Sequence, residues 1–145
     1  SKKAKFTDEE LRRATDVDFT DVIALVAVME EAGEDRIVGG GRYLRIGAPG
    51  PAQRAEVAFL IDDAHQGLGI GSHLFRHLAA IARAAGIVQF EAEVLPANQG
   101  MLQMFSRSGF PVTRRSSPDT VNVTIDLTAR GAGMDAAGPA GPTRD

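Results

Sequence analysis

The chain contains no cysteine, only three lysines and no long apolar run, and each shortage removes a class of function. Without cysteine there is no disulfide, no thiolate metal site and no Cys nucleophile. Lys2, Lys3 and Lys5 all lie among the first five residues, so they read as an exposed end rather than a binding patch. A formal net charge of −3 argues against broad nucleic-acid binding, which requires clustered Lys and Arg to neutralise phosphates. No stretch approaches the roughly 20 apolar residues of a membrane-spanning helix, and no signal-peptide pattern is present. A cytoplasmic location with no membrane or nucleic-acid partner is therefore expected.

At 145 residues the chain fits one domain, long enough to bury about 68 per cent of its unfolded surface. A hydrophobic content of 43% and a charged content of 24% lie near globular averages, which excludes a disordered class. Thr7 followed by Glu10, with Asp8 and Glu9 between, reads as a capping box opening a short helix to about Arg13. Residues 22–29 and 36–45 read as two strands joined at 30–35 into a hairpin. The Gly39-Gly40-Gly41 run is followed by nothing helical, so it reads as a bulge or a flexible stretch of strand. A Gly/Pro loop over 46–53 precedes a central strand over 56–61. Ile70, Leu74, Leu78, Ile81 and Ala85 recur at helical spacing, with Gly86 as the terminator. A strand over 89–94 places Phe90, Ala92 and Val94 on one face and Glu91 and Glu93 on the other. Asn98 can cap a short helix whose Met101, Met104 and Phe105 form a stripe, read as core. Residues 111–115 and 120–127 close the sheet as a final hairpin. Residues 129–145 are rich in Gly, Ala and Pro, too poor in apolar area to offset their ordering entropy, and are expected to be a disordered tail or linker.

The segment with most chemical content is EVAFLIDDAHQGLGIG, residues 56–71, which joins a carboxylate on a strand to a glycine-rich turn opening a helix. Glycines let the backbone approach an anion, and the first amides of a helix lack intrahelical partners. With about half a positive charge at that end from the helix dipole, a pyrophosphate is a natural ligand. A dinucleotide fingerprint is the rival reading. It is disfavoured because position 72 is Ser where the third glycine should stand, and no early N-terminal βαβ unit surrounds the turn.

Gln66, Gly67, Leu68, Gly69, Ile70 and Gly71 spell Q-x-x-G-x-G after an extended strand, which resembles the acyl-CoA pyrophosphate loop of the GNAT superfamily of N-acetyltransferases. The phrase VLPAN at 94–98, then Met101, Met104, Phe105 and Ser108-Gly109-Phe110, resembles that family's fifth strand, fourth helix and exit. The phrases AEVAF, HLAAIARAAGI and AEVLPAN are similar to bacterial Pat-type protein lysine acetyltransferases, which modify acyl-CoA synthetases. The resemblance covers roughly residues 7 to 127. It implies an α/β GNAT (acyl-CoA N-acyltransferase) fold, a mixed, mostly antiparallel sheet flanked by helices. A GNAT domain normally starts with a strand and two helices, and only the end of that region is legible here. Residues 1–128 are therefore expected to be an N-terminally incomplete GNAT domain, either part of a larger multidomain chain or completed by a strand from elsewhere.

The same resemblance implies acetyl-CoA as co-substrate, no metal, and transfer to a lysine ε-amine of a protein, an acyl-CoA synthetase being the implied acceptor. Glu56 is the expected general base. A lysine with a pKa of about 10.4 must lose a proton before attack, and holding it neutral at pH 7 costs about 4.6 kcal/mol. A carboxylate in a pocket, acting directly or through one water, can take that proton. The backbone of Phe59, Leu60 and Ile61 is expected to bond the pantetheine, residues 66–71 and the Ser72 hydroxyl the pyrophosphate, and Asn98 and Phe105 to border the donor. Many family members carry a Tyr where Phe105 stands, so the departing thiolate lacks a phenol here and takes its proton from water. Glu91 and Glu93 read as solvated, as do Arg107, Arg114 and Arg115. His65 reads as a loop residue near the donor. His73 and His77 are one turn apart on the helix, but no third metal ligand is evident. Two other functions stay open: acetylation of a small amine, and a non-catalytic acyl-CoA sensor.

Overall fold

The computed structural model describes residues 4–5 and 22–129. The expected helix at Thr7 and residues 130–145 of the expected tail lie outside the described residues. Seven strands form one mixed sheet in the order β1-β2-β3-β4-β5-β7-β6. They are β1 (Ala4–Lys5), β2 (Val22–Glu31), β3 (Glu34–Ile46), β4 (Gln53–Ile61), β5 (Ile87–Val94), β6 (Val112–Ser116) and β7 (Val121–Asp126). All neighbours are antiparallel except β4 and β5, which are parallel. The expected α/β GNAT sheet is what forms, with the two-residue β1 on the edge of β2. Two helices follow the strands they serve, α1 (Ile70–Ala84) after β4 and α2 (Gln99–Ser106) after β5.

The first hairpin is tighter than its sequence suggests. Glu30, Glu31, Glu34 and Asp35 read as loop, yet all four are in strand, paired Glu30↔Asp35 and Glu31↔Glu34. The turn is reduced to Ala32 and Gly33, both at positive φ (54° and 80°), the backbone of a two-residue hairpin turn whose twist matches the strands. The register slips at Val28, where Ala27↔Gly39 is followed by Val28↔Ile37, so Val38 is the extra residue of a bulge. The glycine run beside it serves close approach. A Cβ on Gly39 would lie 2.8 Å from Ile61 Cδ1, and one on Gly41 2.7 Å from Phe59 Cδ1 and 3.1 Å from Leu78 Cδ1. Absence of side chains there lets β4 and α1 close on β3.

The remaining bounds differ at the ends. β4 begins at Gln53 and β5 at Ile87, both earlier than expected, and the closing strands are Val112–Ser116 and Val121–Asp126. α1 buries Ile70, Leu74 and Leu78 of the expected stripe together with Phe75, Ala79 and Ala82, while Ile81 is half-buried and Ala85 is exposed at the C-cap, and Gly86 follows at φ 87°. Phe75 is the hub of the core. Its ring meets Phe59, Phe90, Phe105 and Phe110 at centroid distances of 5.7 to 6.1 Å. Because Phe59 of β4 also meets Phe105 of α2 at 6.2 Å, both helices lie on one face of the sheet. In α2 the fully buried residues are Leu102 and Phe105, while Met101 and Met104 are only partly buried, so the core stripe is shifted by one residue from the expected one.

Candidate functional site

β4 and β5 are paired only from Gln53↔Ile87 to Glu56↔Glu91. Beyond that rung β4 continues to Ile61 and β5 to Val94 with no ladder between them, so the sheet opens into a V. A cleft of about 170 Å³ fills the opening, and its lining includes Ala58, Phe59, Glu93, Asn98, Met101 and Phe105. Backbone groups on the facing edges of the two strands are thus presented to the cleft instead of to each other.

Glu56 belongs to the last rung. Strand alternation places Val57, Phe59 and Ile61 toward α1 and α2, and Glu56, Ala58 and Leu60 on the opposite face. Glu56 is half-buried and adjoins the cleft through Val57, without itself lining it. Its neighbour Glu91 is not solvated as expected: Arg54 Nη1 donates to it in an ion pair, and Gln89 Nε2 donates at 2.8 Å. Arg54 and Gln89 therefore compensate Glu91. The Glu56 side chain has no hydrogen bond or ion pair among the described residues, which leaves its carboxylate available to an incoming group.

The turn at the end of β4 provides the second element. Gln66, Gly67, Leu68 and Gly69 are exposed. Gly67 and Gly69 sit at φ 82° and 81°, and a Cβ added to either would meet nothing within 4 Å, so conformation and not space selects glycine there. Gly69 caps α1, and the first amide to bond back is His73 N to Gly69 O at 3.1 Å. The amides of Ile70, Gly71 and Ser72 have no acceptor among the described residues, and no acidic residue lies in the first turn. Ile70 can offer a ligand only its amide, since its side chain is 1% exposed in the core. Ser72 is exposed, and Gly71 lies where a Cβ would come 3.0 Å from Met104 Sδ of α2.

Asn98 acts as a helix cap, its Oδ1 accepting from Met101 N at 3.1 Å, and it also lines the cleft. Phe105 does both jobs expected of an aromatic residue there, packing in the core and bordering the cleft. Leu60 is 80% exposed and can contribute only backbone to a ligand in the cleft. Among the remaining arginines, Arg114 Nη2 donates to Ser106 Oγ at 3.0 Å, while Arg107 and Arg115 are exposed. His73 Nδ1 lies 3.1 Å from Arg76 Nη2, and no group of three or more metal-ligating residues occurs among the described residues.

Besides Glu91, two residues have surroundings that their sequence reading did not give. Glu93 lines the cleft, two positions past the last rung on the same face as Glu56. Its alternation with Phe90, Ala92 and Val94 placed it on the right face, but nothing in the sequence says where the pairing of β4 and β5 ends. His65 lies in the connection between β4 and α1 but is buried there: it is 4% exposed, with Nε2 2.5 Å from Glu31 Oε2 and Nδ1 2.9 Å from Asp62 Oδ2. Its pKa is raised above 6.5, chiefly by the hydrogen bond to Glu31 and further by that to Asp62, against the opposing effect of burial.

The glycine turn that opens α1 stands where the sequence resemblance put it, and the sequence model of the Acetyltransferase (GNAT) family matches residues 3–110. The chain belongs to the GNAT acetyltransferase family. Among its GNAT relatives it is 35% identical over 113 residues to the acetyltransferase PA5475 of Pseudomonas aeruginosa, covering 78% of this chain and 59% of that protein. It is 37% identical over 94 residues to the acetyltransferase Pat of Mycolicibacterium smegmatis, covering 65% of this chain and 27% of the relative. Among solved structures, the GNAT domain of S. lividans PAT is 44% identical, with a TM-score of 0.63, covering 75% of this chain and 62% of that one. The chain thus spans from about a quarter to three fifths of the length of these two curated relatives.

Proposed function

We propose that this GNAT domain is a protein lysine acetyltransferase that moves the acetyl group of acetyl-CoA directly to a lysine ε-amine, with acyl-CoA synthetases as the acceptor class. The carrying observation is the position of Glu56. An uncompensated carboxylate stands at the apex of the splay, on the face of the sheet opposite the helices, while the donor turn lies at the end of the same strand. Donor and acceptor then reach one point from opposite sides. Identity to the Pat proteins of M. smegmatis and S. lividans supports a protein acceptor. So does the exposure of Ala58, Glu93 and Leu95, which leaves the cleft open toward a bulky partner.

In this mechanism the pyrophosphate of acetyl-CoA is received by the amides of Ile70, Gly71 and Ser72, and the pantetheine runs along the unpaired edge of β4 beside Phe59, Leu60 and Ile61. Glu56, directly or through one water, takes the proton from the lysine ammonium. The neutral Nζ attacks the thioester carbon, and the carbonyl π electrons move to oxygen, where strand amides freed by the splay stabilise the charge. Collapse re-forms the carbonyl and breaks the C–S bond, and the amide nitrogen loses its second proton to solvent. The sulfur leaves as thiolate, of ordinary pKa about 8.5, and water protonates it because Phe105 has no hydroxyl. No acyl-enzyme forms.

The test is incubation of the chain with acetyl-CoA and a cytosolic extract, followed by mapping of acetylated lysines by mass spectrometry. Lysines modified by the wild-type chain and not by Glu56→Ala support the reading. Thiol release with small amines alone would point to the small-molecule reading, and tight coenzyme A binding with no transfer to any amine to the sensor reading.

A further inference from the structure

The segment from 62 to 69 connects β4 to the donor turn and is exposed throughout except at His65. At its start Asp62 N donates to Val38 O at 2.9 Å, and at its end Ile70 is buried in the core. Between these anchors His65 makes a side-chain bridge to an element distant in the chain, reaching Glu31 at the end of β2. Gln66, next in the chain, reaches no farther than Asp63 Oδ1 and the adjoining end of β4 at Ile61 O.

Both ring nitrogens of His65 face carboxylate oxygens, and carboxylates only accept. Both bridges can be made at once only by the doubly protonated ring. The surroundings are acidic: Glu30, Glu31, Glu34 and Asp35 face one another at the hairpin tip, and Asp62 and Asp63 flank the ring from its own segment. Arg36 on β3 is the neighbouring cation, its Nε 3.8 Å from Glu31 Oε1. Loss of the imidazolium proton would leave one ring nitrogen lone pair against a carboxylate.

We propose that His65 is a positioning residue for donor binding: its imidazolium clamps Asp62 to Glu31 and so holds the turn that leads into α1 in the shape that receives the pyrophosphate. This rests on the donor-turn assignment made above. Because the folded-state pKa lies above the ordinary value of 6.5, the clamp is complete below that ordinary value and is lost as pH rises through the raised one. The second ionisation of the coenzyme A 3′-phosphate, near pH 6, is over by about pH 7.5, so a fall in affinity above that pH is not the phosphate's.

The test is calorimetric titration of the 145-residue chain with coenzyme A from about pH 7 to 9.5, for wild type, His65→Phe, Glu31→Gln and Ser72→Glu. Wild-type affinity falls about tenfold across the range, as a charge-assisted bridge is lost. His65→Phe and Glu31→Gln begin about tenfold weaker at pH 7 and are nearly flat. In turnover assays both raise the KM for the donor and leave kcat at saturating donor within about twofold. Glu31→Gln preserves shape, so an unfolded His65→Phe protein leaves the test intact. Flat wild-type binding, or variants that bind as tightly as wild type and retain its pH slope, overturns the clamp. If Ser72→Glu, which sets a charge against the pyrophosphate, weakens binding while the other two do not, the clamp alone falls. If Ser72→Glu binds normally, the donor-turn assignment fails and the clamp with it.

Discussion

Gly41→Ala joins core packing to the cleft in a single substitution. The new Cβ would lie 2.7 and 2.8 Å from Cδ1 and Cε1 of Phe59 and 3.1 Å from Cδ1 of Leu78. These are distances at which something must move. Leu78 is fully buried and Phe59 is only half-buried at the edge of the cleft, so the Phe59 ring is the group that yields. Overpacking of this kind costs about 1 to 3 kcal/mol. For a chain near 150 residues that is a lowering of Tm by roughly 2 to 12 °C. Coenzyme A affinity should fall as well, because displacing the ring from its contacts with Phe75 and Phe105 disturbs the cleft proposed to hold the pantetheine. Gly40→Ala is the matched control, since its Cβ would meet Leu25 O at 3.4 Å and Val26 Cγ1 at 4.0 Å, ordinary contacts. Thermal unfolding of both variants decides the matter. A second check is the double variant Gly41→Ala with Phe59→Leu, which should be more stable than the sum of the singles because the smaller side chain relieves the clash. Equal Tm values for Gly40→Ala and Gly41→Ala, or strict additivity in the double variant, would refute the reasoning.

Other expectations follow from single residues. Phe75→Ala removes the ring shared by four aromatic neighbours and should cost about 3 to 5 kcal/mol, measured by denaturant unfolding. Tyr43, the chain's one tyrosine, is buried, and that burial raises its pKa above 10.0 although Arg45 opposes the shift. The unfolded chain then gives up this proton at lower pH than the folded one, so Tyr43 should lower stability as pH climbs past 10; alkaline titration of phenolate absorbance should show its ionisation delayed until unfolding. Asn98→Ala should cost about 1 kcal/mol through loss of the α2 cap, read as a Tm shift, with a smaller effect for Asn98→Ser.

Where a pattern was local, the sequence disclosed the structure. The period of Ile70, Leu74 and Leu78 located α1, and the glycine turn located its start. The alternation of Phe90, Ala92 and Val94 oriented β5. What it could not disclose depends on pairs distant in the chain. Glu31 and His65 are 34 residues apart and meet only because the β2–β3 hairpin and the end of β4 share one end of the sheet. Glu30 to Asp35 is so acidic that it reads as loop, yet the tight turn at Ala32-Gly33 and the cations His65 and Arg36 allow it to pair as strand. The last rung of β4 and β5 is likewise invisible in either strand alone. That rung decides both the isolation of Glu56 and the entry of Glu93 into the cleft.

Glu56 in the proposed mechanism acts on the acceptor and not on the donor. The measurement that tests this most directly pairs coenzyme A titration with single-turnover acetyl transfer to a lysine-bearing protein acceptor, for wild type and Glu56→Gln. Donor affinity should stay within about twofold while the transfer rate drops by about 10² to 10⁴. Transfer at the wild-type rate, or a loss explained wholly by weaker donor binding, would contradict it.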